Sequence, residues 1–114
     1  MNLVALIGRL ARPAEERSLP SGDRLVTYQI TVPRPEAKAE SVPVVWFNPP
    51  ATAVDHAVDD ELVVVGRVVR RFFHAGGGVQ SRTEVVADVV VPRRHTRRAR
   101  QALARAAEDL AALS

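Results

Sequence analysis

The residues of this 114-residue chain best equipped for chemistry are three histidines and sixteen Lys+Arg; there is no cysteine. His56, His74 and His95 are far apart in sequence, and none falls in a ligand motif. His56 and Asp60 have helical spacing, but a zinc site needs more ligands than that pair. Without cysteine there is no thiolate nucleophile and no disulfide framework, which is compatible with a reducing cytoplasm. Gly76–Gly78 joins two apolar runs and does not open a helix, so it is not a phosphate loop. No nucleophile–base set is evident, so neither an enzyme nor a cofactor is expected. What remains is cationic. Residues 93–114 carry six arginines against Glu108 and Asp109, a net of +4. Residues 1–92 carry 10 Lys+Arg and 11 Asp+Glu, a net of −1, so the chain's +3 sits in its tail. A basic tail points to a polyanion partner such as nucleic acid, or to a solvated helix that only keeps the protein soluble.

The elements that must position these groups are mostly extended. Glu61–Arg71 (ELVVVGRVVRR) is a β-branched run with Gly66 inside it, followed by Phe72 and Phe73. Branched side chains pack well on a pleated surface, and a glycine within such a run marks a bend or bulge. Asn2–Leu10, with Gly8 inside it, predicts a first strand. Leu25–Val32 predicts a second, turned back at Ser21-Gly22-Asp23. Arg12–Pro20 reads as an irregular surface stretch and Pro33–Glu40 as a charged loop. Val42–Phe47 predicts a third strand with Pro43 at an edge. Asn48-Pro49-Pro50 reads as a helix start, with a short helix over 51–60 that packs Val54, Ala57 and Val58 on the barrel. Glu61–Phe73 follows as the fourth strand, His74–Gly78 as a flexible loop, and Arg82–Val91 as the fifth strand. The expected fold is all-β: a five-stranded OB-fold Greek-key barrel over 1–92, with a short helix between strands 3 and 4.

Residues 93–114 predict a basic C-terminal α-helix. Ala99, Leu103, Ala106, Leu110 and Leu113 fall on one face, and Thr96 is the expected N-cap. Its arginines lie in the first turns and its acids near the end, the reverse of what the helix dipole favours. Such a helix depends on docking to its own barrel, on a second copy or on a polyanion. No apolar run approaches the roughly 20 residues of a membrane span, and a soluble, cytoplasmic, nucleoid-associated protein is expected.

Met1–Arg17, followed by Pro20-Ser21-Gly22, resembles the N-terminus of bacterial single-stranded DNA-binding proteins. Leu6-Ile7-Gly8-Arg9-Leu10, Glu15 and Arg17 fall in step with that family's pattern. Val44–Phe47 is similar to its Val-Val-x-Phe strand, Val65-Gly66-Arg67-Val68 to its Val-x-Gly-x-Leu core, and Thr83–Asp88 to its Thr-Glu-Ile-Val-Ala-Asp ending. The resemblance implies a homodimer or homotetramer that binds single-stranded DNA, independently of sequence, in replication, repair or recombination. It also implies replication or repair proteins as partners. Bases stack on aromatic side chains while phosphates follow a cationic groove.

Carried over by position, the resemblance places stacking aromatics at Phe47 and Phe73. Strand alternation then puts Val45 on the DNA face, with Val44 and Trp46 in the core. Arg71 shares parity with Phe73 and is the expected phosphate contact; Arg70 faces away. Arg9 and Arg12 lie near the family's DNA path, or else pair with Glu15 or Glu16. Arg93, Arg94 and Arg97 supply tail cations. Ser41, the 33–40 loop, Pro43 and Val69 stand where the family has two tryptophans and two arginines. The arginine helix replaces the family's disordered linker and acidic tip, so a divergent paralogue without that tail is expected. The alternative function is an OB-fold protein-interaction subunit, primosome-type or docked on another single-stranded DNA-binding protein, with weak nucleic-acid affinity.

Overall fold

The computed structural model describes residues 1–113. Six strands run in chain order: β1 (Val4–Leu10), β2 (Glu15–Ser18), β3 (Arg24–Arg34), β4 (Ala37–Phe47), β5 (Glu61–Ala75) and β6 (Gly78–Pro92). A single α-helix, α1 (Thr96–Ala111), follows. The sheet order is β1-β5-β6-β4-β3-β2, and β1 also pairs with β3. That last pairing closes five strands into a barrel and leaves β2 as a short flap on β3. β4 and β6 run parallel, in register at Val44–Val85 and Val45–Val86. The barrel is the expected OB-fold.

Two glycines let the barrel close. A Cβ on Gly8 would sit 2.6 Å from both Ile30 Cγ2 and the Thr31 carbonyl oxygen, where β1 passes from β5 to β3. A Cβ on Gly66 would sit 2.1 Å from the Val86 carbonyl oxygen. There the β5–β6 register shifts from Val65–Val89 to Gly66–Ala87, leaving Asp88 as a bulge that bends the pair.

The main core gathers Leu10, Val26, Tyr28, Ile30, Val44, Leu62, Val64, Val85 and Val90, with Trp46 packed against it. Tyr28 Oη donates to the Ala53 carbonyl at 2.7 Å, so its hydroxyl is satisfied where it is buried. A second cluster, Leu25, Val45 and Val86 with Leu19 and Val69, lies on the opposite face of the same strands.

Several expectations are corrected. The stretch 51–60 holds only a 3₁₀ turn, Ala51–Val54, with Ala53 rather than Ala57 or Val58 buried. The Asp59 amide donates to Leu10 O, and Leu10 N–H donates to Asp60 O, so the end of β1 takes the backbone groups that a longer helix would use. Asn48 caps no helix. It adopts φ 49°, and its Oδ1 accepts the Arg24 amide while its own amide donates to Arg24 O. The supposed 33–40 loop is a tight hairpin turning at Pro35-Glu36, with Glu36 at φ 56°. Part of Arg12–Pro20 is β2. His74–Gly78 is a two-residue turn at Gly76-Gly77, both at positive φ, so the fifth expected strand begins at Gly78.

Helix α1 docks on β5 and β6 through Ala99 and Ala106, while Leu110 and Leu113 lie exposed beyond the barrel. Thr96 is its first residue, not its cap; His95 holds that position without a side-chain cap bond. Among the described residues no helix is long and apolar enough to cross a membrane.

Candidate nucleic-acid interface

The ladder between β1 and β5 ends at Val4–Gly66. Two residues further, Asn2 Nδ2 donates to Val68 O at 2.7 Å and Val68 N–H donates to Asn2 Oδ1 at 2.9 Å. Beyond this point β5 and β6 continue as a two-stranded ribbon. Alternation assigns its faces. Arg67, Val69, Arg71 and Phe73 lie on one face, opposite Val86, Glu84, Arg82 and Gln80. Val68, Arg70 and Phe72 lie on the other, opposite Val85, Thr83 and Ser81. Arg70 Nη2 donates to Ser81 Oγ at 2.8 Å, which fixes Arg70 on the reverse face.

The first face opens into a groove of about 360 Å³, within the rough 300–1,000 Å³ of clefts that take drug-sized ligands. Arg12 and Arg17 form one wall, Thr27 and Gln29 come from β3, and Pro43 and Val45 from β4. Arg71, Arg82 and Glu84 complete it. Leu25 and Val45 of the second apolar cluster form its floor. Arg71 and Arg82 are direct cross-strand neighbours. Arg71 Nε forms an ion pair with Glu84 Oε1 at 3.1 Å, and Glu84 is only 4% exposed. Four arginines thus face Glu15, Glu16 and Glu84, with Glu16 also paired to Arg24.

Residues 1–92 match the family model described as the single-strand binding protein family. The chain belongs to that family. It is also similar to the solved structure of a deletion mutant of the single-stranded DNA binding protein from Thermus aquaticus, with a TM-score of 0.66 and 27% identity. That match covers 81% of this chain and 40% of the other, so this chain spans well under half of that protein. No curated protein matches the chain.

In this family member the expected site residues fall into three places. Arg12 and Arg71 share the groove. Phe47 and Phe73 lie outside its lining, at the end of β4 and on the ribbon, 40% and 44% exposed. Val45 does face the groove side, but as buried floor rather than open surface. Arg9, Arg93 and Arg94 gather at the far end of β5. Arg9 stands across from Glu61, Arg93 Nη1 donates to Glu61 Oε2 at 3.0 Å, and Arg94 Nη1 to Asp60 Oδ2 at 2.7 Å. Glu61 and Arg71 are ten residues apart on β5, about 33 Å of strand at roughly 3.3 Å per residue. Arg97 lies exposed on α1 beside Arg100.

Sequence reading missed Arg17 and Arg82. Arg82 was legible in principle: a two-residue turn at Gly76-Gly77 sets the register that brings Arg82 opposite Arg71. The two lost family arginines have become apolar surface, since Pro43 lines the groove and Val69 packs on its floor. Ser41 accepts a hydrogen bond from Gln29 Nε2. Among the described residues no group of His, Cys, Asp or Glu is arranged to hold a metal ion.

Proposed function

We propose that this protein binds single-stranded DNA along the groove and the ribbon without reading its sequence, and serves replication, repair or recombination. The observation that carries this reading is the arginine pair Arg71 and Arg82, set side by side in the groove, with half-exposed Phe73 two residues further along the same strand face and half-exposed Phe47 two residues beyond Val45 on β4. Phosphates follow Arg12, Arg17, Arg82 and Arg71, while bases stack on the two phenylalanines. Each stacked base contributes about 1–3 kcal/mol and tolerates any sequence. Arg9, Arg93, Arg94 and Arg97 extend the cationic path at the other end of the barrel. Arg93 and Arg94 must first leave Glu61 and Asp60; the exposed Arg93–Glu61 pair is worth about 0–1 kcal/mol, while Asp60 is mostly buried beside Arg94. We also propose a homodimer or homotetramer, which sedimentation equilibrium tests directly.

The experiment is fluorescence anisotropy of labelled oligo(dT) across a salt series, beside a matching duplex and the Phe47→Ala/Phe73→Ala double variant. The expected result is a preference for the single strand, lost with the aromatics, and a log–log salt slope of about −0.7 per phosphate neutralised. Binding indifferent to strandedness and aromatics leaves only a polyanion hook. A second reading, a protein-interaction subunit, draws on the reverse face of the ribbon, where Phe72 and Val79 are 67% and 66% exposed. Absence of DNA binding at low salt would favour it.

A further inference from the structure

We propose that Glu84 is a built-in surrogate for a backbone phosphate: it occupies Arg71 within the groove and so weakens the grip on single strands. The inference rests on the reading of the groove as a DNA path.

Glu84 is the one charged side chain buried among the described residues. By alternation it shares its face with Val86 and lies opposite Val69, both part of the second apolar cluster. A carboxylate in such surroundings is costly unless paired. Its ion-pair partner is Arg71, whose side chain is 42% exposed. The pair is therefore lopsided: the acid lies in the floor and the base reaches the groove.

A guanidinium carries five N–H donors, and carboxylate and phosphate oxygens match the same fork. Arg71 is ion-paired to Glu84, while the groove side of the guanidinium stays accessible. A phosphate arriving there meets a cation already partly neutralised. The neighbouring pair gives the same sign. Arg71 and Arg82 stand directly across the ladder from each other, and like charges so placed repel. Glu84 relieves that repulsion in the free protein. A bound phosphate relieves it equally well, so protein carboxylate and DNA phosphate compete for one job.

The test is Glu84→Gln, which keeps the shape and an oxygen facing Arg71 but removes the charge. Oligo(dT) binding near 0.1 M salt should tighten about threefold to tenfold, the scale of one unit charge acting across a hydrated groove. The log–log salt slope should steepen by about 0.7, one additional phosphate on a single strand. The double variant Glu84→Gln/Arg71→Ala, which leaves no unpaired charge in the floor, should lose that gain and bind no better than wild type. In the wild-type protein the Arg71 Nε–H resonance should shift on saturation with oligo(dT). A folded Glu84→Gln variant with unchanged affinity and slope would overturn the proposal. So would a gain that survives in the double variant, or a resonance that stays in place. These outcomes leave wild-type DNA binding standing, whereas loss of binding in wild type and Glu84→Gln alike overturns the groove reading as well.

Discussion

Asn2 stands in for a strand residue opposite Val68. Its carboxamide donates to the Val68 carbonyl at 2.7 Å and accepts the Val68 amide at 2.9 Å, the two bonds that a paired backbone would make. The position continues the register of Val4 with Gly66. The side chain thus ends the β1–β5 ladder and anchors the base of the ribbon that carries Arg71 and Phe73.

Asn2→Ala should therefore loosen the ribbon more than the barrel. The loss should be about 1 kcal/mol of stability, since each net hydrogen bond contributes roughly 0.5–1.5 kcal/mol and this site is exposed. Hydrogen exchange is the sensitive readout: the Val68 amide should lose protection while Val64, deep in the core, keeps its own. Equal loss at both amides would show that the carboxamide supports the whole barrel instead.

Gly66→Ala sets two effects against each other. Replacing glycine in a strand by alanine ordinarily gains roughly 0.5–1 kcal/mol. Here the new Cβ would lie 2.1 Å from Val86 O and 2.9 Å from Ala87 Cα, both backbone atoms that cannot swing aside. The clash should win, and urea denaturation should show a loss of about 3 kcal/mol. An unchanged midpoint would mean that the bulge at Asp88 shifts freely to accept the methyl group.

Stability should fall at mildly acid pH through His56. Burial pushes its pKa below the ordinary value; Asp60 and Asp55 pull it up, while Arg94 and Arg98 add to the fall. The unfolded chain, near pKa 6.5, then binds the proton more readily than the folded one. The contribution of His56 is whole above about pH 6.5 and is lost as the pH drops through the folded value. The urea midpoint should decline between about pH 7 and pH 5, and part of that slope should vanish in His56→Gln. Tyr28 acts with the opposite sign. Burial raises its pKa, so its contribution is whole below about pH 10 and is lost as the pH rises further.

The strands that build the barrel were readable because their signals are local. Valine-rich runs, Gly8 and Gly66 inside them, and Trp46 set between Val45 and Phe47 fix strand, bend and face without reference to the rest of the chain. Failures came where local signals lost to a distant partner. Asn48 and the two prolines after it look like a helix start, yet Asn48 answers Arg24 across the β3–β4 hairpin. Residues 59–60 likewise yield their backbone groups to Leu10.

A basic tail, a near-neutral β-barrel and the shared faces of β4 and β5 follow from composition and a period of two, and the order of its motifs carries the resemblance to its family. Which charges are free depends on the folded chain. Arg71 appeared as an open cation and is tied to Glu84; Arg93 and Arg94 are tied to Glu61 and Asp60; Arg82 was overlooked and stands beside Arg71. Charge pairing depends on registers and bulges that bring residues far apart in the chain within 3–4 Å, and a run of side-chain types does not encode those registers.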